Sequence, residues 1–127
     1  YRVAYPKDSQ SDIWFRYATD RERRASGIRQ AERYLERGRS PVFMYHFVWN
    51  TPLVDGKIRA FHTAELPLAM RLVRFPESEP VSKTIAAAWA NFARHGTPNW
   101  PSYTGDKRDT RTFDTPGRAP RSETCGG

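Results

Sequence analysis

The sequence predicts an α/β fold with an incomplete sheet and flanking helices, and three observations carry that reading. Residues 41–49 (PVFMYHFVW) are apolar on both faces, the pattern of a parallel-sheet strand covered by helices on both sides. Ala25, Ile28, Ala31, Tyr34 and Leu35 recur at three- and four-residue spacing, one face of a helix. Val81, Ile85, Ala88, Trp89 and Phe92 form a second stripe of that kind. Hydrophobic residues make up only 38% of the 127, low for a chain that buries a large core of its own.

Taken in order, residues 1–12 are polar, and Tyr5-Pro6 interrupts regular structure. Ile13-Trp14-Phe15 opens an apolar patch. Thr19 and Asp20 offer N-cap oxygens for the first helix, and Gly38 offers its C-cap. Glu22, Glu32 and Glu36 alternate with arginines along it at pairing distance, which marks a basic surface helix. In the strand, Phe43, Tyr45, Phe47 and Trp49 share one side, with Val42, Met44, His46 and Val48 on the other. His46 reads as a core histidine with one hydrogen-bond partner.

Thr51-Pro52 and Asp55-Gly56 are turn signals that lead to His62. Leu66 to Val73 is a short helix or irregular segment, and Pro76 and Pro80 bound a polar loop. The second helix covers residues 81–95, stopped by Gly96 with Pro98 close behind. His95 sits in its last turn, where a cation suits the helix dipole, and is read as structural. Trp100-Pro101 and Tyr103 make an aromatic loop, residues 111–114 a short final strand, and residues 115–127 a disordered tail. There is no internal repeat and no domain boundary.

Composition removes several classes of function. The net charge is +7, and seventeen of the 21 basic residues are arginines scattered along the chain. No helix-turn-helix, zinc-finger or RNP-like pattern accompanies that charge, so no nucleic-acid partner is expected. Cys125 is the one cysteine, which leaves neither an internal disulfide nor a cysteine metal site. His46, His62 and His95 lack metal-ligand spacing, so neither a metal nor a cofactor is expected. No apolar run approaches the ~20 residues of a membrane span. The chain starts at Tyr1 without a signal-peptide pattern; it reads as truncated, which leaves the compartment open between cytoplasmic and secreted.

One stretch carries chemistry, residues 59–67 (RAFHTAELP). A histidine that follows a strand and a turn sits on a loop at the strand's C-terminal end, where open α/β sheets build active sites. Four stretches then match one family in order. Residues 41–47 resemble its Pro-Val-Tyr-x-Tyr-x-Phe strand, and residues 60–67 its Ala-x-His-[Gly/Ala]-x-Glu-[Ile/Leu]-Pro segment. Residues 89–99 resemble its Trp-x-x-Phe-Ala-x-x-Gly-x-Pro-Asn helix end, and residues 100–103 its Trp-Pro-x-Tyr loop. On these motifs the chain resembles the type-B carboxylesterases, serine hydrolases of the α/β-hydrolase fold.

The resemblance implies that residues 1–114 are the C-terminal part of an α/β-hydrolase domain and that His62 is the catalytic histidine. In this fold the triad runs Ser, then Asp or Glu, then His. No Gly-x-Ser-x-Gly elbow and no HGGG-type oxyanion loop occurs in the sequence. The nucleophile, the acid and the oxyanion loop are therefore expected before residue 1, and the chain alone is expected to be inactive. Its implied partners are a small-molecule ester substrate and the N-terminal remainder of the same hydrolase. Glu65, three residues past His62, is a second candidate for the acid, but the resemblance makes it a buried supporting residue. Thr63 departs from the family's usual Gly or Ala. Leu68-Ala69-Met70-Arg71 departs from a phenylalanine-containing segment that leads to Gly or Asp-Asn. A non-catalytic, adhesion-type relative of the same fold and a basic nucleic-acid module are the alternative readings.

Overall fold

The computed structural model describes residues 1–38 and 40–115. The expected tail, apart from Thr115, and Cys125 with it, lie outside the described residues. Two compact units are present, Tyr1–Val42 with Tyr103–Lys107, and Phe43–Ser102 with the residues from Arg108 onward.

In the first unit the helical stretch starts earlier than the sequence reading placed it. Helix α1 spans Gln10–Ala18, a π-helical segment Thr19–Arg24, and α2 Ala25–Arg37. Ser9, not Thr19 or Asp20, caps it. The Ser9 hydroxyl accepts from the Asp12 amide and the Asp12 carboxylate accepts from the Ser9 amide, both at 3.2 Å. That reciprocal box satisfies two otherwise orphaned donors at once, so the helix begins there and Thr19 and Asp20 become interior residues. Ahead of it, Arg16 pairs with Asp8 at 2.5 Å and lies over the Tyr5 ring at 4.0 Å, which ties the polar N-terminal stretch to α1. Helix α2 ends as expected at Gly38, whose φ of +60° suits a residue without a Cβ. Tyr103 is buried and its amide donates to the Val42 carbonyl at 2.7 Å.

The second unit holds the sheet and the candidate site. Strand β1 spans Met44–Phe47 and pairs in parallel with β2, Thr110–Phe113, so that Met44 stands opposite Thr110 and Phe47 opposite Phe113. The expected strand at 41–49 is shorter in its ladder because its partner is four residues long. The Val48 and Trp49 amides still bond to the Phe113 carbonyl, at 2.9 and 3.2 Å. Helix α3 spans Glu65–Ala69 and α4 Glu79–His95. Helix α4 starts two residues before the expected 81, since Pro80 in a first turn forfeits no hydrogen bond.

Trp49, Leu68, Val81, Ile85, Ala88 and Phe113 form the core of this unit, with Phe47, Ala69, Trp89 and Trp100 packed against it. Four of the five residues on the expected α4 stripe are at least half-buried, and the fifth is not. Phe92 is 53% exposed and meets the Phe43 ring at 6.0 Å. It lies one turn beyond Ala88, at the rim of the core. Among the described residues, no helix is long and apolar enough to cross a membrane.

Candidate active site

His62 lies on an exposed turn between β1 and α3. The chain leaves β1 at Phe47, and Val48 and Trp49 keep it bonded to Phe113. Thr51, 5% exposed, then closes the loop. Its amide and its hydroxyl both donate to the Arg59 carbonyl, at 3.3 and 2.9 Å. The intervening chain folds back through Val54, Asp55 and Gly56, all at positive φ. His62 therefore stands three residues beyond a fixed point, not on a free loop.

Two residues beside His62 adopt the left-handed conformation, Arg59 at φ +50° and Thr63 at φ +69°. For a β-branched residue that is strained. The Thr63 hydroxyl offsets part of the strain by donating to the His62 carbonyl at 2.5 Å. This geometry gives a physical reason for glycine at the Thr63 position of the motif. Beyond it the Ala64 amide donates to the Phe61 carbonyl and the Leu66 amide to the Thr63 carbonyl, each at 3.1 Å. These bonds wind the turn into α3.

The far end of α3 is fastened to α4. The buried Ser82 hydroxyl donates to the Leu68 carbonyl at 2.8 Å and accepts from Arg71 at 2.9 Å. Arg71, at φ +60°, also pairs with Glu79 at 2.5 Å. That guanidinium holds the Glu79 carboxyl below its ordinary range, with Lys83 adding to the effect at 3.5 Å. Arg71 closes the segment where the motif leads to Gly or Asp-Asn, and glycine is a residue suited to positive φ.

The other candidates fall elsewhere. Glu65, half-buried at the start of α3, accepts from the Tyr45 hydroxyl at 3.3 Å. Burial and the neighbouring Glu65 carboxylate push the Tyr45 phenol up to about 12. His46 is half-buried in β1 opposite Thr112, and His95 is exposed in the last turn of α4. Ser78 and Ser82 are fully buried, and their hydroxyls are committed to the Phe75 and Leu68 carbonyls. Among the described residues, no group of three or more His, Cys, Asp and Glu could hold a metal. A surface depression of about 540 Å³ lined by Tyr1, Trp14 and Tyr17 lies in the first unit and contains no candidate residue. Sequence reasoning passed over Tyr45, Thr51 and Ser82 as supports of the turn. The turn signal Thr51-Pro52 was the one available hint, since a hydroxyl before a turn can close it.

A model of the carboxylesterase family matches residues 7–122. The para-nitrobenzyl esterase of Bacillus subtilis is 35% identical over 91 residues, 60% of this chain and 18% of that protein. Human cocaine esterase is 33% identical over 82 residues, 51% of this chain and 15% of that protein. A solved carboxylesterase from Geobacillus stearothermophilus superposes with a TM-score of 0.71 at 28% identity, covering 87% of this chain and 26% of the other. The chain thus spans less than a fifth of the length of these two curated relatives.

Proposed function

Because this chain belongs to the carboxylesterase family, we propose that the intact protein is a serine-type carboxylic-ester hydrolase and that this segment supplies its catalytic histidine, His62. The chain is part of an α/β-hydrolase fold. One observation carries the reading: His62 is exposed on a braced turn that follows the C-terminal end of a parallel strand. Functional side chains in parallel α/β sheets are presented at such ends.

In this reading the His62 imidazole takes the proton of a serine hydroxyl as that oxygen attacks the ester carbonyl. It returns the proton to the departing alcohol, then takes one from water to free the acyl group. The serine, the acid that orients His62 and the oxyanion donors belong to sequence before residue 1. The relatives' names, para-nitrobenzyl esterase and cocaine esterase, support a small-molecule ester as substrate.

The test is hydrolysis of a p-nitrophenyl ester by the intact protein, with and without a serine-directed organophosphate. Turnover abolished in step with labelling of one serine supports the reading. A folded intact protein with no turnover contradicts it and favours a non-catalytic relative of the fold.

A further inference from the structure

We propose that Tyr45 is a positioning residue for the turn that carries His62, acting through Glu65; this rests on the esterase reading above. Tyr45 lies on β1, and its ring is clamped edge-on by Trp89 of α4 at 5.0 Å and by Phe113 of β2 at 5.9 Å. The ring is 37% exposed, and these two contacts hold its covered side, which limits the reach of its hydroxyl. That hydroxyl donates to Glu65 at 3.3 Å. Glu65 opens α3, and only Thr63 and Ala64 separate it from His62. Ala64 is buried and Thr63 is held at φ +69°, so a displacement of Glu65 is passed on to His62.

Ties on either side of the turn bracket this bond. Thr51 fixes the chain before His62, at Arg59. Ser82 fixes the far end of α3, at Leu68. The Tyr45–Glu65 bond acts between them, at the start of α3, and connects the end of the turn to the sheet. The phenol is the donor, and burial with the neighbouring carboxylate raises it further above its ordinary value, so Glu65 serves here as an acceptor. A neutral amide oxygen can fill that role. This separates positioning from a charge role, in which Glu65 would orient the imidazolium of His62.

The test uses the intact protein. Tyr45→Phe keeps the aromatic clamp and deletes the hydroxyl. It should lower kcat for a p-nitrophenyl ester about tenfold, with KM little changed, as small misplacements of a catalytic group do. Glu65→Ala should fall by a similar factor, and the double variant no further, since both remove one interaction. Glu65→Gln should recover most of what Glu65→Ala loses. Hydrogen exchange supplies a readout independent of turnover: the Ala64 and Leu66 amides should exchange faster in Tyr45→Phe than in the parent, and Glu65→Gln should restore their protection relative to Glu65→Ala. Parental kcat together with unchanged exchange in Tyr45→Phe overturns the proposal. So does a Glu65→Gln enzyme as inactive as His62→Ala, which would make Glu65 the charge partner. If the intact protein hydrolyses no ester, the esterase reading fails, and exchange at Ala64 and Leu66 alone decides for or against the tie.

Discussion

Thr51 gives both of its hydrogen-bond donors, amide and hydroxyl, to the single carbonyl of Arg59. The loop that turns the chain back from β1 is closed at that point, and His62 follows three residues later. Thr51→Val keeps the side-chain volume and deletes the hydroxyl bond. It should cost about 1 kcal/mol of stability, the net worth of one such bond, and should lower kcat as well. Thr51→Ser should retain most of both. Denaturation midpoints and ester turnover of the two variants check this.

The parallel strand, both helices and the position of His62 were legible in the sequence because each rests on a local pattern. A short run apolar on both faces marked β1, the Val81–Ile85–Ala88 stripe marked α4, and Gly38 and Gly96 marked the helix ends. The start of the first helix was misread because Thr19 and Asp20 compete on equal terms with Ser9 until the Asp12 side chain is seen to reach back. Phe92 was misread because helical phase places it on the stripe, whereas burial depends on how far the facing core extends. Tyr45–Glu65 spans twenty residues and Ser82–Leu68 fourteen. No local pattern encodes such contacts.

Thr63 tests the strain at the turn. Thr63→Val loses the bond to the His62 carbonyl and keeps the β-branched residue at positive φ, so it should destabilise by about 1 kcal/mol. Thr63→Gly relieves about 1–2 kcal/mol of left-handed strain against about 0.5–1 kcal/mol of added chain entropy. The glycine variant should therefore melt above the valine variant; the opposite order contradicts the geometry.

Ile85 and Phe92 share a helix face but not a burial. Ile85 is fully buried, and Ile85→Ala should cost about 2–5 kcal/mol. Phe92→Ala should cost clearly less, because half of that ring is already in solvent. Denaturant midpoints of the two variants in the intact protein give the comparison, and equal losses would mean that Phe92 is covered.

Glu79 gives a pH dependence with a defined sign. Arg71 holds its carboxyl below the ordinary value of 4.5, so in the acidic range the unfolded chain binds this proton more readily than the folded one. The pair's contribution is thus complete above the unfolded value and is lost as pH falls through the folded one. Melting followed from pH 6 to pH 3 should show a steeper acid loss in the parent than in Arg71→Met. Parallel profiles would mean that the pair is not formed in solution.

His62 bears the central claim. In the intact protein, His62→Ala should leave the fold and the melting temperature nearly unchanged, since the side chain is exposed on its turn. It should lower kcat for a p-nitrophenyl ester by roughly a thousandfold or more, the usual consequence of removing a triad base. A folded His62→Ala protein that turns over the ester within about tenfold of the parent, well short of the loss expected for a triad member, would contradict the account.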